Sequence, residues 1–268
     1  MATDGKKIVL ITGANTGIGY ETVKALLQST QPYHIILGSR SVEKGNSAKA
    51  ELQKEFPNTP TSIEVLQVDI SSDKSIGDAF EKVKANHGHI DALVNNAGHS
   101  VQPVPGKRTL REAWNEDYDV NVSGTQVMTH VFAPLLIRAP GARLLFVTSG
   151  LASLQRLHGS WYAGGPEPSE PGWPKASENP LSAYRSSKTA LNMMMLNWHY
   201  LLKPDGVKVF SISPGMLATN LGGIGPERLK AMGAGHPSIG GNIIKDVIEG
   251  KRDAEAGQVV AGQGVQPF

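Results

Sequence analysis

Cysteine is absent from this chain of 268 residues. Disulfide bonds, thiolate metal sites and a cysteine nucleophile are therefore excluded. Long hydrophobic runs are absent as well, because no stretch approaches the roughly 18 consecutive apolar residues of a membrane-spanning helix. The first residues also lack the pattern of a secretory signal peptide. We therefore expect a cytoplasmic protein with no membrane partner.

A strong excess of one charge is also lacking. The chain has 26 Lys and Arg residues against 24 Asp and Glu residues, a net charge of +2. Because no basic stripe is present either, we expect no nucleic-acid partner. Glycine, in contrast, is abundant, with 30 residues, which exceeds the roughly 7% of ordinary proteins. This excess indicates many tight turns, or a backbone that approaches a ligand closely.

Short apolar segments rich in β-branched residues alternate with segments of helical periodicity. The candidate strands cover residues 7–12, 34–37, 62–68, 90–95, 142–148, 207–212 and 258–261. The candidate helices lie near residues 18–29, 42–55, 72–86, 109–138, 181–203 and 238–250. Repeated β-then-α order with mostly apolar strands predicts a parallel sheet that helices cover on both faces. We expect one α/β domain over residues 1–268, with a doubly wound sheet of about seven strands in three layers, α/β/α.

Two segments rich in Gly and Pro interrupt this alternation. Residues 156–178 predict an inserted surface loop. Residues 214–237 predict a mobile substrate-binding loop that contains a short helix.

The first candidate strand ends in a glycine-rich turn, G-A-N-T-G-I-G at residues 13–19, and a helix follows. Glycines at such a turn let backbone amides approach a pyrophosphate at the helix N-terminus. The spacing differs from the general G-x-G-x-x-G fingerprint, so an ordinary tight turn is the alternative interpretation. A dinucleotide site remains our prediction.

The end of the second strand indicates which dinucleotide. About 20 residues after the glycines, an acidic residue would bind the ribose hydroxyls of NAD. Here Ser39 and Arg40 occupy that place, and no acid occurs until Glu43. An arginine suits a 2′-phosphate, so we expect NADPH/NADP⁺ in preference to NAD. The alternative is an arginine at a solvated strand end.

Five motifs occur in a fixed order: T-G-A-N-T-G-I-G at 12–19, N-N-A-G at 95–98, Ser149 after a strand, Y-R-S-S-K at 184–188 and P-G at 214–215. This order resembles the short-chain dehydrogenase/reductase family, and the resemblance spans residues 7 to about 220. It implies a Rossmann-like fold and a catalytic set of Asn121, Ser149, Tyr184 and Lys188. A second Tyr-x-x-x-Lys pair, Tyr20 with Lys24, is interpreted as coincidence.

The same resemblance implies a cofactor-binding set. Asp69 would hold the adenine amine, Thr12 and Asn15 would support the glycine turn, and the P-G segment would grip the nicotinamide carboxamide. The implied cofactor-binding residues are Thr12, Gly13, Asn15, Thr16, Gly17, Ile18, Gly19, Ser39, Arg40, Asp69, Ile70, Asn95, Asn96, Ala97, Gly98, Tyr184, Lys188, Pro214, Gly215 and Thr219.

The residue types agree with reversible carbonyl reduction. Tyr184 and Lys188 are i and i+4 on one helical face, and a nearby cation would lower the pKa of a phenol from its ordinary value near 10. Tyr184 would be the general acid in reduction and the base in oxidation. Ser149 would donate to the carbonyl oxygen, and Lys188 would also bind the nicotinamide ribose. Asn121 would hold a water that relays protons to Lys188.

The chain departs from the family pattern in one interval. Ser149 and Tyr184 are 35 positions apart, and this surplus before the tyrosine resembles the carbonyl reductase branch. Ser153 and Ser160 are alternatives to Ser149. The aromatic residues of the insertion, Trp161, Tyr162 and Trp173, would form a wall for an apolar substrate or cover a helix. Because the insertion is compatible with a monomer, a homo-oligomer and a monomer both stay open.

The remaining candidates are histidines and methionines. His99 and Ser100 follow N-N-A-G and would either line the substrate mouth or serve packing. His87-Gly-His89 lacks the spacing and companions of a metal site, so we expect no metal. Met193-Met194-Met195 predicts core packing or a subunit contact.

These observations predict an NADPH-dependent oxidoreductase that reduces a small apolar ketone or aldehyde to an alcohol. Two alternatives stay open: a cofactor-binding regulator, and a family member with a non-redox role such as cyclisation or dehydration. Consumption of NADPH on turnover separates the first from the others. Specificity is expected from residues 99–104, 156–178 and 216–236, where fold does not determine substrate.

Overall fold

A computed structural model describes residues 5–159, 170–175 and 181–268. Its sheet is mostly parallel and has the strand order β3-β2-β1-β4-β5-β6-β7-β8. The strands are β1 (Lys7–Ile11), β2 (Tyr33–Ser39), β3 (Ser62–Gln67), β4 (Ala92–Asn95), β5 (Arg143–Val147), β6 (Lys208–Ser213), β7 (Val259–Ala261) and β8 (Gly264–Gln266). The helices are α1 (Gly17–Leu27), α2 (Val42–Glu55), α3 (Asp73–Asn86), α4 (Leu110–Tyr118), α5 (Thr125–Leu136), α6 (Leu154–Gly159), α7 (Ser182–Leu202), α8 (Pro226–Ala231) and α9 (Ser238–Ile248).

The predicted α/β fold is confirmed, and apolar side chains fill both faces of the sheet. On one face, Phe132 of α5 and Met195 of α7 are fully buried against the strands. On the other face, Val23 of α1 and Ile244 of α9 are also fully buried. Strands that are buried on both sides need the continuous apolar composition seen in the sequence. The three layers are therefore α/β/α.

The sheet has eight strands rather than about seven. The additional strand, β8, pairs antiparallel with β7 at the sheet edge. Only three residues long, it contains a glycine and a glutamine, so no apolar run or alternation marks it in the sequence. The chain reversal after β7 creates this strand.

The long helix predicted near residues 109–138 is interrupted. Between α4 and α5, residues Asp119–Gly124 form a π-helix. Gly124 lies so close to the Ile70 carbonyl that an added Cβ would collide with it. A π-helical segment shifts side chains out of the regular α-helical register, and Asn121 lies within it.

The two glycine- and proline-rich segments contain short helices. Residues 154–159 form α6, so the predicted loop of 156–178 begins later than expected. Residues 160–169 and 176–180, including Trp161 and Tyr162, lie outside the described residues. Trp173 is exposed. In the second segment α8 forms, and a backbone hydrogen bond from Gly235 to Met216 closes the loop at its base.

Met194 and Met195 are buried in the core, whereas Met193 is exposed. Core packing is thus confirmed for two of the three methionines. Within the described parts of the chain, no helix has both the length and the apolar character needed to cross a bilayer.

The strand order reverses between β1 and β4. In open α/β sheets, the loops after the carboxyl ends of the two strands at such a point diverge and leave a crevice. The glycine turn follows β1, and N-N-A-G begins at the end of β4. The fold therefore brings these two motifs to one crevice.

Candidate active site

The glycine turn packs tightly against the segment after β4. Gly13 and Gly17 have φ of 62° and 58°, in the left-handed region that favours glycine. A Cβ added to Gly13 would lie 3.0 Å from Cα of Ala97. A Cβ added to Gly19 would lie 2.6 Å from Nδ2 of Asn96 and 2.7 Å from the Gly13 oxygen. Glycine at these positions lets backbone and ligand occupy space that a side chain would fill.

Thr12 connects the same two segments by hydrogen bonds. Its hydroxyl oxygen accepts from the backbone N–H groups of Asn96 and Ala97, each at 3.0 Å. The Asn96 amide donates back to the carbonyl oxygens of Thr12 and Gly13 at 2.8 and 3.2 Å. The side chain of Asn15 makes no hydrogen bond with any described residue. Thr12 thus fixes the turn, and Asn15 does not contribute to it in this way.

Asn95, Thr16 and Ile18 belong to the same two motifs, and each has different neighbours in the structure. Asn95 is buried, and its amide donates to the Thr129 hydroxyl at 3.0 Å. Thr16 precedes α1 without a side-chain capping hydrogen bond. Ile18 lies beside the start of α9, since its Cγ2 would be 3.1 Å from a Cβ added to Gly240.

The ends of β2 and β3 form one side of the crevice. Ser39 is buried and donates to the Ser41 carbonyl at 2.9 Å. Arg40 is exposed and has no ion pair with any residue that the structure describes. Asp69 accepts hydrogen bonds from the Ser71 N–H and hydroxyl, and Ile70 is buried. Arg40 is therefore available for a charged group from outside the chain.

Ser149, Tyr184 and Lys188 converge at the carboxyl end of β5. Ser149 lies close enough to Tyr184 to lower the pKa of its phenol. Lys188 is buried, its Nζ donates to the Val147 carbonyl at 2.8 Å, and the same atom lies 5.9 Å from the Tyr184 ring centroid. The helix α7 supplies the tyrosine and the lysine one turn apart. The three side chains form one cluster.

The pKa of Tyr184 is raised in this structure, opposite to the net lowering expected from the sequence. Burial, the largest cause, raises the pKa of Tyr184 to about 12, although the hydrogen bond with Ser149 lowers it. Burial also lowers the pKa of Lys188 to about 8, while the charge of Asp117 raises it. Desolvation of the phenol is therefore the dominant effect on its ionisation.

Asn121 joins this cluster through its side chain. Its amide donates to the His99 carbonyl at 2.8 Å and to the Ser187 hydroxyl at 2.9 Å. Its Oδ1 accepts the His99 N–H at 2.8 Å. A Cβ added to Gly98 would lie 3.3 Å from Nζ of Lys188 and 3.4 Å from Oδ1 of Asn121. Asn121, Gly98 and Lys188 therefore meet at one point.

The segment after β6 forms the opposite side of the crevice from the ends of β2 and β3. Gly215 has φ of 88°, and nothing lies within 4 Å of its missing Cβ. Thr219 lies over the glycine turn, with Cγ2 3.6 Å from a Cβ added to Gly17. Pro214 packs against Gly240 at the start of α9. The structure thus places the P-G segment beside the glycine turn.

The alternative candidates lie elsewhere. Ser153 is buried, and its hydroxyl donates to the Phe268 carbonyl at 3.2 Å. Ser160 lies outside the described residues. Lys24 forms an ion pair with Glu55 at 2.6 Å, so the Tyr20–Lys24 pair packs locally, as expected for a coincidence.

Two residues of the site were not found in the sequence. Gln266, on β8, accepts from the Ser213 hydroxyl at 2.8 Å, and its amide lies 3.5 Å from the Ser149 carbonyl. Asp117, on α4, is fully buried and is a charge that acts on both Tyr184 and Lys188. No motif marks either residue, since each reaches the site only through the tertiary fold.

His87 has companions that the sequence did not indicate. Oε2 of Glu64 lies 2.9 Å from Nε2 of His87 and 3.1 Å from Nε2 of His34. Among the described residues, this is the one His/Cys/Asp/Glu group whose ligand atoms are close enough to hold a metal ion. His34 and Glu64 lie near the starts of β2 and β3, at the opposite end of the strands from the active-site cluster. The hydrogen bonds of His34 and His87 to Glu64 explain why these three side chains lie together.

Comparisons with known proteins agree with this architecture. The family model for short chain dehydrogenase matches residues 7–165. The short-chain dehydrogenase/reductase tropE of Talaromyces stipitatus is 47% identical over 273 residues, covering 100% of both chains. The short-chain dehydrogenase/reductase eupG of a Phoma species is 45% identical, covering 98% of both.

Among solved structures, NADPH-bound carbonyl reductase from chicken fatty liver is similar in fold, with a TM-score of 0.77 and 22% identity over 98% of this chain and 99% of that one. An alcohol dehydrogenase from the archaeon Thermococcus sibiricus, complexed with 5-hydroxy-NADP, has a TM-score of 0.72 and 24% identity, covering 91% of each chain. The family model covers more than half of the chain, and two relatives match nearly all of it at above 40% identity. The chain belongs to the short-chain dehydrogenase/reductase family.

Proposed function

We propose that this protein is an NADP(H)-dependent oxidoreductase that reduces a ketone or aldehyde to an alcohol, and that the reaction is reversible. The observation that carries the proposal is the convergence of Tyr184, Ser149 and Lys188 at the carboxyl end of β5. Family membership supplies the general oxidoreductase class. The carbonyl substrate and the choice of cofactor are our inference.

The crevice fits a nicotinamide dinucleotide. Gly13, Gly17 and Gly215 all adopt φ values in the left-handed region that favours glycine, and a Cβ on Gly13 would lie 3.0 Å from Cα of Ala97. The amides at the start of α1 would hold the pyrophosphate. Thr219 and the P-G segment would hold the nicotinamide end. When bound, the dinucleotide supplies the hydride for the carbonyl carbon.

The side chains of the cluster handle the proton. Tyr184 keeps its proton at neutral pH, since its pKa is raised to about 12, so it is ready to donate to the carbonyl oxygen as that oxygen gains charge. The Ser149 hydroxyl would donate a second hydrogen bond to the same oxygen. With a pKa of about 8, Lys188 is mainly charged at pH 7 and favours the phenolate that remains.

After Tyr184 has donated its proton, Lys188 and Asn121 would supply the proton that replaces it. Lys188 lies next to Gly98 and Asn121. We propose that a water held near Asn121 passes a proton to Lys188, which restores the tyrosine proton. In oxidation, the same groups act in the opposite direction, and Tyr184 accepts the proton of the alcohol.

The preference for the phosphorylated cofactor rests on Arg40. Its exposed guanidinium lies just after β2 and has no ion pair within the described parts of the chain, so it is free to bind a 2′-phosphate bidentately. Replacing it by aspartate introduces a like charge beside that phosphate. The expected result for Arg40→Asp is a rise of roughly tenfold or more in KM for NADPH, because a hydrogen bond to a charged group contributes about 1.5–3 kcal/mol.

The control is Lys54→Asp, which makes the same charge change at an exposed position in the last turn of α2, at the other end of the helix from Arg40. It should leave KM for NADPH within about twofold, because an exposed charge away from the ligand contributes little. An Arg40→Asp variant with unchanged KM for NADPH would show that the cofactor preference has another origin.

For the oligomeric state, a homo-oligomer and a monomer both stay open. Met193, Tyr200 and Leu201 form an exposed apolar strip along α7, and such strips frequently mark subunit contacts. Light scattering during size-exclusion chromatography measures the mass directly.

A further inference from the structure

Asp117 is a buried carboxylate that the proposed reaction does not use. Its side chain is fully buried on α4, one turn before Asn121. Its Oδ1 accepts the Val101 N–H at 3.1 Å, and its Oδ2 has no hydrogen-bond partner in the part of the chain that the structure describes. A buried carboxylate is unfavourable unless a cation or a donor compensates it. Lys188 is one such cation, since the charge of Asp117 raises its pKa, and His99 is a second side chain within reach of the carboxylate.

His99 faces Asp117 with one of its two nitrogens. Nδ1 of the imidazole is buried 3.5 Å from Oδ1 of Asp117, close enough for a charge contact but without a hydrogen bond to any described residue. The side chain as a whole is 37% exposed, so the exposed part lies elsewhere on the side chain than at Nδ1. One nitrogen is thus directed to the carboxylate, and the other remains for a ligand.

The backbone of His99 is held at the catalytic cluster. Its N–H and its carbonyl both bond to the Asn121 side chain, each at 2.8 Å. The preceding residue, Gly98, lies against Nζ of Lys188. The following residue, Ser100, lies 3.8 Å from a Cβ added to Gly222 in the 214–237 loop. His99 is therefore between the proton-transfer groups and the loop expected to contact substrate.

This arrangement has a defined chemical preference. A carboxylate beside one imidazole nitrogen favours a proton on that nitrogen and leaves the second nitrogen to act on a ligand. In the neutral ring, Nε2 accepts a hydrogen bond from a hydroxyl group. In the imidazolium ion, Nε2 donates to an anionic oxygen. Both protonation states therefore bind an oxygen function.

We propose that His99, positioned by Asp117, forms a subsite for a second oxygen of the substrate, a hydroxyl group or its anion, beside the carbonyl that is reduced. The inference rests on the proposed function and narrows its substrate class to hydroxylated carbonyl compounds. Asp117 is a positioning residue that acts through His99.

The test compares benzaldehyde with its 2-, 3- and 4-hydroxy derivatives as substrates of the purified protein with NADPH. For the preferred isomer, wild type should have a kcat/KM at least about tenfold above that of benzaldehyde, the value of one hydrogen bond to a charged group. In His99→Leu this ratio should collapse to about 1. In Asp117→Asn the ratio should fall several-fold, because the comparison with benzaldehyde cancels the effect of the lost charge on Tyr184 and Lys188.

The matched control is His89→Leu. His89 has the same 37% side-chain exposure and lies 3.7 Å from Asp91, but it precedes β4 at the end of the strand away from the cluster. Its ratio should equal that of wild type. If His99→Leu fails to fold, as judged by thermal melting, His99→Phe replaces it, with the same expected loss, because it keeps a planar ring and has no hydrogen-bonding nitrogen.

A ratio that persists in the His99 variants, or a wild-type protein that turns over benzaldehyde without preferring any hydroxylated isomer, would overturn the subsite. Absence of turnover with every substrate would instead contradict the proposed function. The subsite would then be measured by calorimetric titration with 2-hydroxybenzoate and benzoate. Tighter binding of the hydroxylated ligand in wild type, lost in His99→Leu, would still establish it, and equal binding would refute it.

Discussion

Lys188 provides a quantitative test of the site's electrostatics, because its charge is buried. Its pKa is lowered from 10.5 to about 8, chiefly by burial. Each pKa unit corresponds to about 1.4 kcal/mol, so holding the ammonium in the fold costs about 3 kcal/mol below pH 8. Substituting methionine removes this cost and also removes the hydrogen bond to the Val147 carbonyl, which contributes about 1 kcal/mol. Lys188→Met should therefore stabilise the protein by about 2 kcal/mol at pH 7.

The pH dependence distinguishes this cause from better packing. The folded protein releases the Lys188 proton near pH 8, whereas the unfolded chain keeps it until about pH 10.5. Between these values the unfolded state binds more protons, so the contribution of this group to wild-type stability rises with pH. The advantage of the methionine variant should thus be full below pH 8 and should disappear as pH approaches about 10.5.

The assay is urea denaturation followed by circular dichroism, without cofactor, at several values between pH 6.5 and 10. Lys82→Met, at an exposed position of α3, is the control and should change the free energy of unfolding by less than about 0.5 kcal/mol. A Lys188→Met variant that is less stable than wild type at pH 7, or an advantage that does not change with pH, would refute the electrostatic reasoning.

Two further predictions concern packing and positioning. Gly19→Ala should cost about 1–3 kcal/mol of stability and weaken cofactor affinity, because the added Cβ would lie under 3 Å from three atoms. The control is Gly77→Ala on α3, where nothing lies within 4 Å, and it should stabilise the chain slightly. Equal melting temperatures for the two variants would contradict the close packing at Gly19. Gln266→Met should lower the free energy of unfolding by about 1–3 kcal/mol and should also lower kcat. The substitution leaves the buried Ser213 hydroxyl without its acceptor and removes the amide beside Ser149. An unchanged melting temperature and kcat would show that β8 does not support the site.

Local patterns of the sequence were sufficient for the main architecture. The buried strands and the glycine turn are contiguous segments, and their composition follows from burial on both faces and from backbone approach. The i, i+4 spacing of Tyr184 and Lys188 places both on one face of α7. Features of this kind depend on neighbours in the chain, so the sequence reveals them.

Features that depend on the tertiary environment were not predictable in the same way. Burial, which no spacing reports, reversed the expected direction of the Tyr184 pKa. Asp117 and Gln266 reach the cluster from α4 and β8 through long-range packing. The π-helix around Asn121 arises where Gly124 meets the Ile70 backbone, a contact between segments far apart in the chain. Each of these required the positions of residues that are distant in sequence.

The central claim is that Tyr184 supplies the proton in a reduction that consumes NADPH. The most direct measurement is the loss of NADPH and NADH absorbance by the purified protein with a panel of aldehydes and ketones, for wild type and Tyr184→Phe. The account predicts turnover with NADPH, weaker turnover with NADH, and loss of at least about 10²-fold in kcat in the variant, the lower range for one general acid. Turnover that survives in Tyr184→Phe would contradict the account.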